Sequence, residues 1–174
     1  MLIEVMDKKL IIPELQSKDK DDIIEEMASK FKEAGMIKDE DVFIKAIKTR
    51  EALESTAIGG GIAIPHARSD TAERLTVALG RSREGVDFKS LDGRPVNLIF
   101  MIACPPSATK IYLQVLARIA RLCKNEEMRE GLIKAKDTDA IMCFIKGFDI
   151  GSGKPEAVEL KDGRAIYPNK NRAQ

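Results

Sequence analysis

VNLIFMIAC, residues 96–104, is the stretch of the sequence that decides the fold. Only Asn97 interrupts its run of apolar side chains, and the run is far shorter than the roughly 20 residues that a membrane-spanning helix needs. A short, nearly continuous apolar run is typical of a strand that is covered on both faces. The stretch therefore predicts the central strand of a sheet.

Strand and helix patterns alternate around this stretch. Further strand patterns lie at 8–15 (KKLIIPEL, stopped by Pro13), 61–64 and 75–82. Apolar residues at three- and four-residue steps predict helices over 19–34, 39–50 and 108–123, then a short helix capped by Asn125 and another from Asp137 to Gly147. Helices before, between and after strands indicate an α/β fold, a single-domain sandwich of a mixed β-sheet flanked by helices on both faces.

The end of the chain has a different composition. Residues 149–174 are rich in Gly, Pro and charged residues, with few apolar ones. The segment VELKDGRAIY, residues 158–167, fits a small hairpin with Asp-Gly in its turn, and it fits a loose tail equally well. We therefore expect a domain over residues 1–148 and a C-terminal extension over 149–174.

Composition excludes several classes of protein. The chain has 174 residues, of which 44% are hydrophobic and 33% charged, as in ordinary globular proteins. A net charge of +1 gives no long-range attraction for nucleic acid or an anionic membrane. The N-terminus lacks a signal-peptide pattern, and the three cysteines do not form a disulfide framework. We expect a cytoplasmic protein with no nucleic-acid partner and no direct membrane insertion.

His66 is the one histidine of the chain, and it lies in IGGGIAIPHARSD, residues 58–70. Pro65 keeps the preceding backbone extended, so His66 is expected at a strand end, where α/β folds place their sites. Groups that bind anions surround it in the sequence: the N–H groups of Gly59, Gly60 and Gly61, the hydroxyls of Ser55 and Thr56, and the guanidinium groups of Arg50 and Arg68. This combination suits a phosphorylated imidazole. A structural histidine, which is the commoner role, stays open at this point.

Other site patterns fail or are weak. Ile64 stands where a Rossmann fingerprint needs its third glycine, and GFDIGSGKP has Pro155 where a Walker loop needs Ser or Thr. A single histidine and scattered thiols give no metal-ligand spacing, so no metal and no cofactor is expected. Cys104 ends the central strand, which leaves a Cys104–His66 nucleophilic pair as an open alternative, whereas Cys123 and Cys143 are expected on apolar helix faces.

The segment REALESTAIGGGIAIPHAR, residues 50–68, resembles the active-site signature of a known family. The family is the type-2 IIA components of the phosphoenolpyruvate-dependent sugar phosphotransferase system, which includes fructose, mannitol and nitrogen-regulatory members. The resemblance continues through VALGRSREGVDFKSLDGRPVNLIFMIACP, most like the fructose-type branch, and through YLQVLARIARLC, so that it covers roughly residues 1–148.

The resemblance implies both a fold and a function. It implies an α/β sandwich in which His66 is the phospho-acceptor and Arg50 supports the phosphorylated ring. The phosphoryl group would come from the phosphocarrier protein HPr and leave to a cysteine of a IIB domain during uptake of a fructose-like sugar. The alternative is a nitrogen-type regulatory phosphoprotein whose His66 phosphorylation state is read by partner proteins.

The sequence departs from the family at one position. Many members have a second histidine at the start of the helix after the central strand, where this chain has Tyr112. A phenol can donate a hydrogen bond to a phosphoryl oxygen but offers no second imidazole. Tyr112 also fits the apolar stripe of its helix, so a site role and a core role both remain open.

Overall fold

The structure is a computed structural model that describes residues 1–151 together with Val158–Glu159 and Ala165–Ile166. A short 3-10 helix, Leu2–Val5, precedes the first strand, and another, Pro106–Ala108, precedes α3. The strands are β1 Met6–Ile12, β2 Ala57–Gly59, β3 Ile62–Ala63, β4 His66–Arg68, β5 Thr76–Val86, β6 Val96–Cys104, β7 Val158–Glu159 and β8 Ala165–Ile166. The helices are α1 Lys20–Glu33, α2 Glu40–Leu53, α3 Thr109–Lys124, α4 Glu126–Lys134 and α5 Thr138–Ile150.

Six of the strands form one mixed sheet. Its order is β1-β5-β6-β3-β2, and β4 also pairs with β6. The strand β6 is parallel to β3 and β4 and antiparallel to β5, while β1 is parallel to β5. Every residue of β6 except Asn97 is buried, so the predicted central strand is confirmed.

Each face of the sheet carries its own core. Leu98, Phe100 and Ile102 of β6 pack in the cluster formed with α3, α4 and α5. The alternate residues Ile99 and Met101 pack in the cluster formed with α1 and α2. This alternation is the period of a strand covered on both sides, and it confirms the predicted α/β arrangement with helices on both faces.

Side-chain caps start four of the five described α-helices. Asp19, Asp39, Asn125 and Asp137 each accept a backbone N–H from the first turn of the helix that follows. Such a cap contributes about 1 kcal/mol of helix stability. The caps predicted at Asn125 and Asp137 are therefore present.

The strand that carries His66 is interrupted at Ile64 and Pro65. Ile62 of β3 is aligned with Leu98 of β6, and His66 of β4 is aligned with Ile102, so the register is the same on both sides of the interruption. The break arises because proline has no N–H to donate to the ladder, although the Pro65 carbonyl still accepts from Ile102 N at 2.9 Å. The strand that was predicted to end at Ile64 therefore resumes after Pro65, and His66 is the first residue of its second half.

The end of α5 also differs from the prediction. The helix continues through Gly147 to Ile150, and Gly151 ends it in the left-handed conformation with φ 61°. This is the geometry that glycine adopts without strain, so Gly151 is the stop signal and Gly147 is an interior residue. Beyond it, β7 pairs antiparallel with β8, and the other residues of the predicted extension lie outside the described residues.

Candidate active site

A cleft of about 550 Å³ lies beside His66, between α2, β4 and the first turns of α3. Its walls combine apolar side chains with three cations. The lining residues are Val42, Lys45, Ala46, Thr49, Arg50, Leu53, His66, Ala67, Arg68 and Tyr112. No carboxylate is among these residues, so within the described part of the chain the cleft is lined by groups that favour an anion.

One face of α2 forms a wall of the cleft. Its lining residues recur at steps of three and four, from Val42 to Leu53, as a helical face requires. Val42 belongs to the apolar residues of this helix but is half exposed at 50%, whereas the buried face of α2 carries Phe43, Ile47 and Glu51. Lys45 is a cation of this wall that the sequence analysis did not single out.

A backbone hydrogen bond fixes the tautomer of His66. The ring Nδ1 lies 2.7 Å from the carbonyl oxygen of Ile64. Because a carbonyl can only accept, Nδ1 carries the proton and donates it, and Nε2 keeps its lone pair. Burial lowers the pKa of His66 below 6.5; the hydrogen bond to Ile64 opposes this effect, the charge of Arg50 adds to it, and Glu51 has a small raising effect. The ring is therefore neutral at pH 7, with the lone pair of Nε2 free.

The cations of the cleft come from two elements. Arg50, in the last turn of α2, donates from Nη1 to the carbonyl oxygen of Glu54 at 3.0 Å. Arg68 is exposed at the end of β4, two residues after His66. The structure therefore brings Arg50 and Arg68 to the same cleft as His66, as the sequence predicted, and the guanidinium group of Arg50 keeps further N–H donors for an anion.

Tyr112 lies against His66. The centroids of the two rings are 5.7 Å apart, and their planes meet at 52°. The tyrosine is half-buried. It lines the cleft and also packs against the core cluster on the α3 face of the sheet, so the site role and the core role are both compatible with its position. Burial raises the pKa of Tyr112, and so does Cys104, so the phenol stays protonated and is a hydrogen-bond donor.

Thr56 does not lie in the cleft. It is 4% exposed, and both its hydroxyl and its backbone N–H donate to the carboxylate of Glu51. Its backbone carbonyl accepts from Ile64 N at 3.1 Å. Thr56 is therefore not one of the phosphate-binding groups, contrary to the prediction, because its hydroxyl already donates to a buried carboxylate. Its carbonyl instead binds the segment that orients His66.

The glycine turn is at the wrong end of its strand for a role beside His66. Gly61 pairs with Asn97 and Leu98 near the start of β6, whereas His66 is aligned with Ile102. Five residues of extended chain separate Gly61 from His66, or about 16 Å. The N–H of Gly60 donates to the carboxylate of Asp92 at 2.9 Å. The interpretation of this turn as an anion-binding loop was therefore wrong.

Cys104 offers no thiolate for a pair with His66. Its side chain is fully buried, and the thiol donates to the carbonyl oxygen of Pro105 at 3.3 Å. Burial raises the pKa of Cys104, which keeps the sulfur protonated at neutral pH. Cys123 is also buried, and its pKa is raised to about 12.

Comparison with known proteins identifies the family. Residues 4–147 match the model of the phosphoenolpyruvate-dependent sugar phosphotransferase system EIIA 2 family. The chain is 40% identical over 148 residues to the fructose-specific EIIABC component of Bacillus subtilis. That match covers 85% of this chain, but the chain spans only 23% of the length of the relative.

Solved structures share the same fold. Nitrogen regulatory protein IIA-Ntr from Neisseria meningitidis superimposes with a TM-score of 0.75 at 29% identity, over 80% of this chain and 95% of that one. A complex of enzyme IIA mannitol with phosphorylated enzyme IIB mannitol from Escherichia coli contains a chain that superimposes with a TM-score of 0.67 at 21% identity, over 77% of this chain and 92% of that one. With its family match over most of its length, this chain belongs to the type-2 EIIA family of the phosphotransferase system, whose members are phosphoryl carriers.

Proposed function

We propose that Nε2 of His66 accepts a phosphoryl group from the phosphohistidine of HPr and passes it to a cysteine of a IIB domain that serves the uptake of a fructose-like sugar. One observation carries this proposal. The Ile64 carbonyl holds the proton on Nδ1, which leaves Nε2 as the nucleophilic nitrogen in a cleft lined by cations.

The chemistry needs only groups of this chain and of the donor. The lone pair of Nε2 attacks phosphorus while the P–N bond of the donor breaks, and the donor nitrogen takes that electron pair. The His66 ring becomes positive, and the Ile64 carbonyl stabilises it by accepting the Nδ1–H. Lys45, Arg50 and Arg68 face the phosphoryl oxygens, which carry about two negative charges.

The second transfer reverses this charge. A cysteine thiolate of IIB attacks the phosphorus, the P–N bond of His66 breaks, and the ring returns to its neutral form with Nδ1 still protonated. The solved complex of a IIA with a phosphorylated IIB supports IIB as the partner. The exposed apolar side chains of Val42 and Leu53 at the cleft provide contact area for such a partner.

A regulatory function is the second candidate. The chain covers 95% of a nitrogen regulatory IIA at 29% identity, and such a protein would use His66 in the same way while other proteins read its phosphorylation state. The identity of 40% to a fructose-specific component favours transport. We place either role in the cytoplasm, because the three free cysteines suit a reducing compartment.

Labelled phospho-HPr tests the acceptor. We expect the wild-type chain to take up acid-labile label, and His66→Ala to take up none, because no other side chain supplies this nitrogen. Arg94→Lys is the control, since Arg94 is exposed outside the cleft lining. Label retained by His66→Ala, or label that survives acid, would contradict the assignment. Onward transfer to a purified fructose-type IIB separates the transport role from the regulatory one.

A further inference from the structure

We propose that Glu51 is a positioning residue for His66, acting with Lys20 and Thr56 through the backbone of Ile64. This inference rests on the proposed function, since it concerns how the acceptor nitrogen is presented. Glu51 lies one residue after Arg50 but faces the interior, whereas Arg50 lines the cleft.

Glu51 is a buried carboxylate with several partners. Its side chain is only 3% exposed. Its Oε1 accepts the Thr56 hydroxyl, and its Oε2 accepts the backbone N–H of Thr56 at 3.2 Å and lies 2.5 Å from Nζ of Lys20. A charged group is rarely kept buried unless it is paired, so these contacts hold together three segments: α1, α2 and the start of β2.

Lys20 is itself held in place. Its side chain is 19% exposed, and its Nζ lies 5.1 Å from the centroid of the Phe88 ring. Phe88 is fully buried, so the ammonium group is confined between a carboxylate and an aromatic face. Removal of the charge of Glu51 would therefore leave Lys20 half-buried without its counter-ion.

Two further hydrogen bonds connect Glu51 to the imidazole. The Thr56 carbonyl accepts from Ile64 N at 3.1 Å, and the Ile64 carbonyl accepts from Nδ1 of His66 at 2.7 Å. A displacement of Thr56 is thus passed to the one carbonyl that selects the tautomer of His66. Since Glu51 holds both the N–H and the hydroxyl of Thr56, it determines indirectly which nitrogen of the His66 ring carries no proton.

The test compares the tautomer of His66 in Glu51→Gln and in the wild-type chain. A glutamine keeps the volume but sets its NH₂ donors against the donors of Lys20 and Thr56. We expect ¹⁵N NMR to show a mixture of Nδ1–H and Nε2–H forms in the variant, in place of the single Nδ1–H form. Phosphorylation by phospho-HPr should slow roughly tenfold to a hundredfold, as for a reacting group displaced by about 1 Å.

Glu26→Gln is the matched control. Glu26 is also a helix carboxylate that holds loop N–H groups, those of Gln16 and Ser17, and it makes no contact with the cleft. We expect it to leave the tautomer and the rate of phosphorylation unchanged. If Glu51→Gln behaves like Glu26→Gln in both measurements, the positioning role is wrong.

A second pair of variants covers a failure of Glu51→Gln to fold. Thr56→Val removes only the hydroxyl that Glu51 accepts, and Thr56→Ser restores it. The tautomer mixture should appear in Thr56→Val and disappear in Thr56→Ser, and the same ring spectrum in both would overturn the inference. The tautomer is measured on the unphosphorylated protein, so this test does not depend on phosphoryl transfer. If the wild-type chain accepts no label, the proposed function fails while this measurement still decides the role of Glu51.

Discussion

At the scale of the residue, the proposed function depends on the choice between two nitrogen atoms of the His66 ring. The Ile64 carbonyl assigns the proton to Nδ1, and burial together with Arg50 keeps the ring neutral by lowering its pKa. A cation therefore has two effects at this site. Under the proposed function, Arg50 adds to the effect of burial that keeps Nε2 unprotonated before transfer, and it would stand beside the phosphoryl group after transfer.

A pH titration of His66 by NMR tests the first effect. We expect a pKa below 6.5, the value of an unperturbed imidazole. Arg50→Met should raise this pKa, because a neighbouring positive charge disfavours the protonated ring and its removal relieves that effect. Lys89→Met, at an exposed position between β5 and β6, is the control and should leave the titration unchanged. A midpoint above 6.5 in the wild-type chain would contradict this account.

Tyr112 permits a sharp comparison of two substitutions. If its hydroxyl donates to a phosphoryl oxygen, Tyr112→Phe should slow transfer from phospho-HPr about tenfold, the equivalent of one hydrogen bond of about 1.4 kcal/mol. Tyr112→His should recover the rate, because an imidazole can donate at the same place. Normal transfer by the Phe variant, together with a lower melting temperature of the His variant, would assign Tyr112 to the core alone.

At the scale of the element, Arg81 shows how a strand holds a helix end. Arg81 is completely buried in β5, and its Nη1 donates to the carbonyl oxygens of Leu132 at 2.9 Å and Ala135 at 2.7 Å, where α4 ends. Its Nε donates to Pro13 at 2.7 Å. Burial lowers the pKa of Arg81 to about 10, so it is still protonated at neutral pH. A cation placed at the carboxyl end of a helix also complements the helix dipole.

Arg81→Lys should therefore destabilise the protein. A lysine cannot reach three carbonyl groups with one planar fork, so we expect the free energy of unfolding to fall by about 3 kcal/mol. Urea denaturation measures this loss. Arg94→Lys, at an exposed position, should change the stability by no more than about 0.5 kcal/mol. Equal urea midpoints for the two variants would show that the contacts of Arg81 do not contribute to the free energy of unfolding.

At the scale of the whole molecule, the sequence predicts the layers better than the site. The apolar run of β6 and the caps at Asn125 and Asp137 are local patterns, and they lead directly to a sheet with helices on both faces. The three-residue strand β4 could not be predicted, because it follows a proline and forms only by pairing with β6, which lies more than 30 residues later in the sequence. In the site, the motif around His66 predicts that Arg50 and Arg68 lie near this ring, and all three residues line one cleft.

The partners of Thr56 could not be predicted in the same way. A hydroxyl near a histidine suggests an anion ligand, whereas only the fold shows that Glu51 already occupies it. One signal was present in the sequence. Glu51 continues the four-residue spacing of Phe43 and Ile47, the two buried apolar side chains of α2, and a carboxylate on such a stripe predicts a buried, paired charge.

The 3-10 helix at the start of the chain and the last turn of α5 meet at Asp149. Its buried carboxylate accepts the N–H of Ile3 at 2.6 Å and the Nε of Arg118 at 2.8 Å, so the 3-10 helix at the start lies beside the end of α5. The 3-10 helix and Gly151 therefore lie at the same corner of the fold that residues 1–151 form. A unit whose two ends lie side by side can be inserted into a loop of another protein without distortion, so residues 1–151 have the geometry of an insertable domain.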